Sequence, residues 1–262
     1  MIFMNTTVRF LISRIIKVFA NSSKILCYIF HFLFPRKRFT LPKQSSPIFK
    51  NKGDTVVPKI LWQTNYTDRV TLPVYINYLF NRLMSPTYAY RFMITEARAD
   101  FIQSNYSKQI FESYSKLQIG AAQADFWRIL VLQKYGGVYM DIDAHLVWPL
   151  GWTVKREYSE LFLLRKRGGL TNYFIASKRN NVHLEKIIDA LMINIRENKL
   201  TSVYRLTGPG VFNQVLSKID VNGVSYRYTC NQGNFTNEYF QYLDKAQGKW
   251  TKAQAVIDIV KK

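Results

Sequence analysis

The chain predicts an α/β fold in which one sheet is covered by helices on both faces. Two observations carry this. Short apolar runs of strand length alternate with helix-length segments from residue 56 to residue 229. The 262 residues, 48% hydrophobic and 15% aromatic, suffice for one sizeable domain with a small appendage and do not describe a disordered chain.

The elements follow in order. Val56–Thr64 is a short apolar run, read as a buried opening strand. Residues 74–84 read as a helix and Tyr90–Thr95 as a second strand. Helical pieces near 97–104 and 107–114 precede the strongest helix, 118–135, which Gly136-Gly137 ends. Residues 138–143 form a third strand, and 161–165 and 173–177 two more. Residues 181–198 make a long helix. A Thr207-Gly-Pro-Gly210 turn leads into helix 211–219, and 225–229 is a last strand.

The net charge is +20, and its distribution matters more than its size. Residues 1–53 hold ten Lys or Arg and no acid, so the remaining 209 residues carry 27 − 17 = +10. A basic arm on a moderately basic domain points to an anionic partner for the arm. Cys27 and Cys230 make no disulfide framework and suggest a reducing compartment.

The arm, residues 1–38, is apolar as well as basic. Arg9, Arg14, Lys17 and Lys24 interrupt the run from Val8 to Phe34, so it lacks the roughly 20 clean apolar residues of a spanning helix. Arg9, Ser13, Lys17 and Asn21 recur every four residues with apolar residues between them. That predicts an amphipathic helix lying in a headgroup region, closed by Pro35-Arg-Lys-Arg38. No small-residue cleavage site follows, so a cleaved signal peptide is not expected. An anionic membrane surface is the expected partner, at the cytoplasmic face of a membrane with peripheral attachment. Residues 39–55, with two prolines and polar filler, read as a linker to a domain over 56–262.

The chemistry lies between residues 120 and 143. Asp125 and Arg128 sit three apart on the strongest helix and share a face. If 138–143 alternates as a strand, Asp141 and Asp143 point to one side and Ile142 to the other. Two carboxylates so close repel, and a Mn²⁺ or Mg²⁺ that takes phosphate oxygens as further ligands is the usual remedy.

This block, Asp125-x-x-Arg128 then Tyr135-Gly-Gly-Val-Tyr139-Met-Asp141-Ile-Asp143, resembles the DXD-containing sugar transferases of glycosyltransferase family 32. That family includes bacterial capsule and lipopolysaccharide transferases and yeast Golgi mannosyltransferases, and the large clostridial toxins share its catalytic core. Val57-Pro-Lys-Ile-Leu-Trp-Gln-Thr64, Asn172-Tyr-Phe-Ile-Ala-Ser177 and Leu206-Thr-Gly-Pro209 resemble further family segments, so the likeness spans about residues 56–250. The resemblance implies a GT-A fold, a nucleotide-sugar donor (UDP-hexose or GDP-mannose), a divalent metal and retention at the anomeric carbon. The acceptor would be a glycan or lipid-linked glycan of surface polysaccharide.

By position, Asp125, Arg128, Asp141 and Asp143 would be catalytic. Trp62 would lie beside the base, and Tyr139, Asn172 and Trp250 would contact the donor. Asp143 and Asp141 would hold the metal. The family's C-terminal histidines are missing from Tyr242-Leu-Asp244-Lys-Ala-Gln-Gly248-Lys-Trp250, so Asp244 is the expected substitute as a hard oxygen ligand.

Two other readings compete. Aspartyl-phosphate phosphatases also use Asp-x-Asp after an apolar strand, which would give Asp141 and Asp143 that role. Their motif continues to Thr or Val where His145 stands, and they need a later acidic pair, whereas Asp189, Asp220 and Asp244 are isolated. A basic nucleic-acid or membrane-binding module without catalysis would spread its cations and lack an acidic site. Here the cations concentrate in an apolar arm, and nucleic acid is not an expected partner.

Overall fold

The computed structural model describes residues 6–50, 53–166 and 168–261. The few remaining positions of the expected arm, linker and domain lie outside the described residues. A 28-residue helix, α1 (Thr6–Leu33), comes first, then β1 (Phe39–Thr40), β2 (Gln44–Ser45), β3 (Ile60–Thr64) and β4 (Arg69–Val70). Next come α2 (Leu72–Met84), β5 (Ala89–Met93), α3 (Thr95–Asn105), α4 (Lys108–Lys116) and α5 (Gly120–Tyr135). β6 (Gly137–Met140), β7 (Ala144–Leu146), α6 (Leu150–Thr153), β8 (Glu160–Leu164), β9 (Leu170–Ser177) and α7 (Val182–Glu197) follow. The chain ends through α8 (Val203–Leu206), α9 (Pro209–Leu216), β10 (Gly223–Ser225), β11 (Cys230–Gln232), α10 (Glu238–Gln241) and α11 (Trp250–Ala253).

Seven strands form the central sheet in the order β10-β8-β9-β6-β3-β5-β2. β3 is parallel to both β5 and β6, while β9 runs antiparallel to β6 and β8, so the sheet is mixed. Strand parity divides the core in two. Leu61, Val138, Met140, Leu161, Phe174 and Ala176 face one side with Val74 and Tyr78 of α2. Trp62, Tyr139, Phe162 and Ile175 face the other, with α3, α5, α7 and α9. The expected α/β sandwich is present.

Gly136 and Gly137 turn α5 into β6 at φ +65° and +110°, where other residues are strained. A side chain on Gly137 would also meet the Ile60 carbonyl at 2.7 Å. This close approach lets β6 lie against β3.

Three readings need correction. The third strand stops at Met140, and Asp141–Asp143 form a turn that the Ala144 N–H closes by folding back onto Asp141 O. Of segment 225–229 only Ser225 is strand, as the end of β10; a single 3-10 turn over Tyr226–Tyr228 separates β10 from β11. The segment read as a linker is built into the fold: β1 pairs with β4, and β2 forms an edge of the main sheet against β5. Arg82 anchors it by donating to Ser46 O at 2.9 Å.

Candidate functional site

A cleft of about 920 Å³ opens where β3, β5 and β6 end, and Asp125, Arg128, Tyr139, Asp141, Asp143, Asn172 and Trp250 all line it. This is where parallel strands of an open α/β sheet commonly present a ligand crevice. The volume suits a ligand of nucleotide-sugar size.

α5 carries Asp125 and Arg128 on the buried face that their spacing predicts. Arg128 Nη2 lies 2.9 Å from Asp125 Oδ1, and Nη1 lies 3.2 Å from Asp141 Oδ1. Nη1 also donates to the Asn172 carbonyl at 2.6 Å. The Asn172 amide donates to Asp125 Oδ1 at 2.8 Å, and Thr207 Oγ1 donates to Asp125 Oδ2 at 3.1 Å. The guanidinium stands 4.3 Å above the Tyr139 ring, whose hydroxyl donates to Asp141 Oδ1 at 2.6 Å. One network therefore joins α5, β6, β9 and the turn before α9.

Burial pushes the Asp125 carboxyl up to about 6, although Arg128 pulls it down. Burial works against the Arg128 charge, but Asp141, Tyr139 and Asp125 outweigh it and hold the guanidinium protonated. Burial, then the Asp141 charge beside it, push Asp143 up to about 7. Two acids pressed together in a partly dry cleft hold a proton or accept a cation.

Gln232 of β11 shows where that cation would stand. Its Nε2 donates to Asp141 Oδ2 at 2.9 Å and to Asp143 Oδ1 at 3.0 Å, so both carboxylates converge on one nitrogen. The turn achieves what strand alternation was expected to achieve, by a different backbone path. Convergent hard oxygens suit Mn²⁺ or Mg²⁺. Among the described residues no cluster of three or more His, Cys, Asp or Glu offers a fuller cage. The donor set present would leave coordination positions for phosphate oxygens and water.

Asp244 is not brought to this point. Its carboxylate takes a bidentate pair of 2.6 Å bonds from Arg38 Nε and Nη2, which hold its pKa below the ordinary value. Trp62 is not beside a base either. Its ring is buried on the α5 face of the sheet, stacked on Tyr135, with Nε1 donating to Gly136 O at 2.9 Å. The parity of β3 turns it into the core. His145 is fully buried, and burial depresses its pKa to about 4, so it is a neutral core residue.

Two cleft residues escaped the sequence reading. Gln232 lies some 90 positions from the acids, and no local pattern marks it. Arg98, in the first turn of α3, is 2% exposed and lines the cleft. Its Nη2 donates to Thr95 Oγ1 at 2.9 Å, while its Nε has no partner. A lone Arg in an ordinary helix carries no such signal.

Residues 73–163, which contain Asp125, Arg128, Asp141 and Asp143, match the model of the glycosyltransferase sugar-binding region containing the DXD motif. That match covers about a third of the chain, including all four of these residues. An uncharacterized glycosyltransferase of Acanthamoeba polyphaga mimivirus is 23% identical over 70% of this chain and 77% of its own. The initiation-specific alpha-1,6-mannosyltransferase of Schizosaccharomyces pombe is 29% identical over 39% of this chain and 26% of its own. A toxin of Photorhabdus asymbiotica is 35% identical over 37% of this chain, only 3% of that much longer protein. The solved PaToxG glycosyltransferase superposes with a TM-score of 0.52 at 19% identity, covering 78% of this chain and 80% of its own. The mixed sheet covered by helices is the GT-A type of fold, and the kinships support glycosyltransferase activity.

Proposed function

We propose that this protein is a metal-dependent, retaining hexosyltransferase that uses a nucleotide-sugar donor, UDP-hexose or GDP-mannose. The observation that carries the reading is the convergence of Asp141 and Asp143 on one point, beside the Asp125–Arg128–Asn172 network in a single cleft. Asp141 and Asp143 would hold Mn²⁺ or Mg²⁺. When bound, the ion would neutralise charge on the departing diphosphate.

The chain's own residues do the positioning. Asp125, gripped from both sides, sets the plane of the Arg128 guanidinium, whose fork matches phosphate and sugar oxygens. Tyr139 fixes one oxygen of Asp141, and the other turns to the point where Gln232 meets both acids. Trp250 lines the same cleft, where its apolar ring can cover a sugar or base face. Arg98 supplies a further buried cation toward the nucleotide.

The acceptor we propose is a growing glycan on lipid, in assembly of capsule, lipopolysaccharide or a similar surface polysaccharide, at the cytoplasmic face of a membrane. The supporting observation is the basic, apolar N-terminal helix. Donor hydrolysis with UDP-glucose, UDP-galactose, UDP-N-acetylglucosamine and GDP-mannose, each with Mn²⁺ and with EDTA, tests the core of the proposal. One donor should be hydrolysed only with metal. Equal turnover in EDTA, or phosphate release from simple phosphomonoesters instead, would sink it.

A further inference from the structure

A helix packed on a globular domain normally turns its apolar stripe to the core. α1 instead leaves much of its apolar surface facing outward, with Ile12, Ile16 and Phe30 only half-buried on the inner side. Ser13, Ala20, Lys24, Cys27 and His31 face the domain. Ser13 Oγ accepts from Asn231, Lys24 Nζ donates to Gly233 O, and His31 Nε2 accepts from the Leu72 N–H, each at 3.1 Å. Ala20 and Cys27 are buried between them. The outward stripe is Leu11, Ile15, Val18, Leu26, Ile29 and Phe32, spaced three, four or eight apart. Val18 is 68% exposed and Phe32 84%. From Leu11 to Phe32 this ridge is about 32 Å long.

The surroundings say what covers it. Arg14 and Lys17 are exposed at its margin, and Arg36 and Lys37 are exposed just past its end. Residues 1–53 contain no acid. A second copy of this face would bring cations against cations. Among the described residues, no helix is long and apolar enough to cross a membrane. An apolar ridge on a segment whose charged residues are all cations fits the interface of an anionic bilayer. Arg9 and Lys24, expected to meet headgroups, instead turn inward, to the Trp148 ring and Gly233 O, and Arg38 is spent on Asp244.

The inner face of α1 also carries one wall of the cleft. Phe19 meets Phe235 at 6.1 Å, Tyr28 stacks on Tyr239, and Asn237 donates to the Tyr28 hydroxyl at 2.6 Å. Gln232, which bridges the two acids, belongs to the same segment. We propose that the outward face of α1 docks in an anionic lipid interface and that docking steadies segment 231–244, the wall beside Asp141 and Asp143. The cleft is thereby held at the lipid surface.

Sedimentation of the full chain with vesicles tests this without any sugar donor, so its failure and that of the transferase reading are separable. Phosphatidylcholine vesicles containing about one-third phosphatidylglycerol should bind the protein at least about 10-fold more tightly than phosphatidylcholine alone. Ile15→Ser, Val18→Ser and Ile29→Ser combined should weaken that binding about 10-fold or more, with an unchanged melting temperature because these side chains are solvent-exposed. Arg14→Glu with Lys17→Glu should weaken it and remove its salt dependence. Hydrogen exchange at 231–244 should slow on vesicles. Parental binding by the triple variant overturns docking, as does a parental dimer that the triple variant dissociates while neither protein binds vesicles. Binding with unchanged exchange at 231–244 overturns the coupling.

Discussion

Arg128 Nη1 stands 3.2 Å from Asp141 Oδ1, so one guanidinium ties the helix that carries Asp125 to the turn that carries the paired acids. The two acidic motifs of the sequence are thus one electrostatic unit. Its geometry depends on a planar fork reaching two carboxylates and the Asn172 carbonyl at once.

Arg128→Lys keeps the charge but cannot make those contacts together. Donor hydrolysis should fall on the order of 100-fold, with a smaller loss of stability. Arg128→Met leaves Asp125 buried with its partner gone and should destabilise by about 3 kcal/mol in urea unfolding. Hydrolysis by Arg128→Lys at the parental rate would make the network structural only.

Trp62 gives an opposite expectation. Because its ring packs on Tyr135 and its Nε1 satisfies Gly136 O, Trp62→Phe should cost about 1–2 kcal/mol of stability by leaving a buried carbonyl unpaired. Nucleotide affinity, measured by calorimetry well below the melting temperature, should stay within about twofold of the parent, because the ring lies outside the cleft. A large, selective loss of nucleotide affinity would restore the base-stacking role.

These two residues mark what was legible. Asp125, Arg128, Asp141 and Asp143 were readable because chemistry and spacing lie within 19 consecutive positions. The sandwich was readable because strand and helix lengths alternate. Trp62 misled because the end of a strand is visible in sequence while the face its side chain takes depends on which neighbours β3 pairs with. Asp244 misled for a similar reason, as its partner Arg38 is 206 residues away. The amphipathic character of α1 was plain, but periodicity cannot say which face meets the domain. Gln232 and Arg98 needed the tertiary structure outright.

The coupled acids make stability depend on pH in a defined direction. In the unfolded chain Asp143 loses its proton near the ordinary 3.8, whereas in the fold it keeps it up to about 7. Between those values the folded state binds more protons, so this group's contribution to stability declines as pH rises through that window. Asp143→Asn removes the effect. The variant and parent should melt alike near pH 4, and the variant should be more stable at pH 8 by on the order of 1–2 kcal/mol, below the full linkage value because the site is partly solvated. Mn²⁺ should raise the melting temperature of the parent at pH 8, progressively less below 7 as protons compete, and leave Asp143→Asn unchanged. A metal response of equal size in the variant would remove Asp143 from the ion's ligands.

Arg98 offers the sharpest separation of function from stability. A guanidinium that is almost fully buried, has its charge opposed by burial and keeps one N–H unpaired is a cost to the free protein. Its place in the first turn of α3, facing the cleft where β5 ends, makes it a ready partner for an electron-rich oxygen of the nucleotide. Arg98→Met, similar in length and uncharged, should therefore leave the melting temperature unchanged or higher. It should weaken donor nucleotide binding about 10- to 100-fold, as expected for the loss of one charge-assisted contact. Arg98→Lys should recover part of the affinity. The two readouts move in opposite directions only if the charge is kept for a ligand. A variant that loses stability and binds nucleotide normally would show that Arg98 serves the packing of α3 and nothing in the cleft.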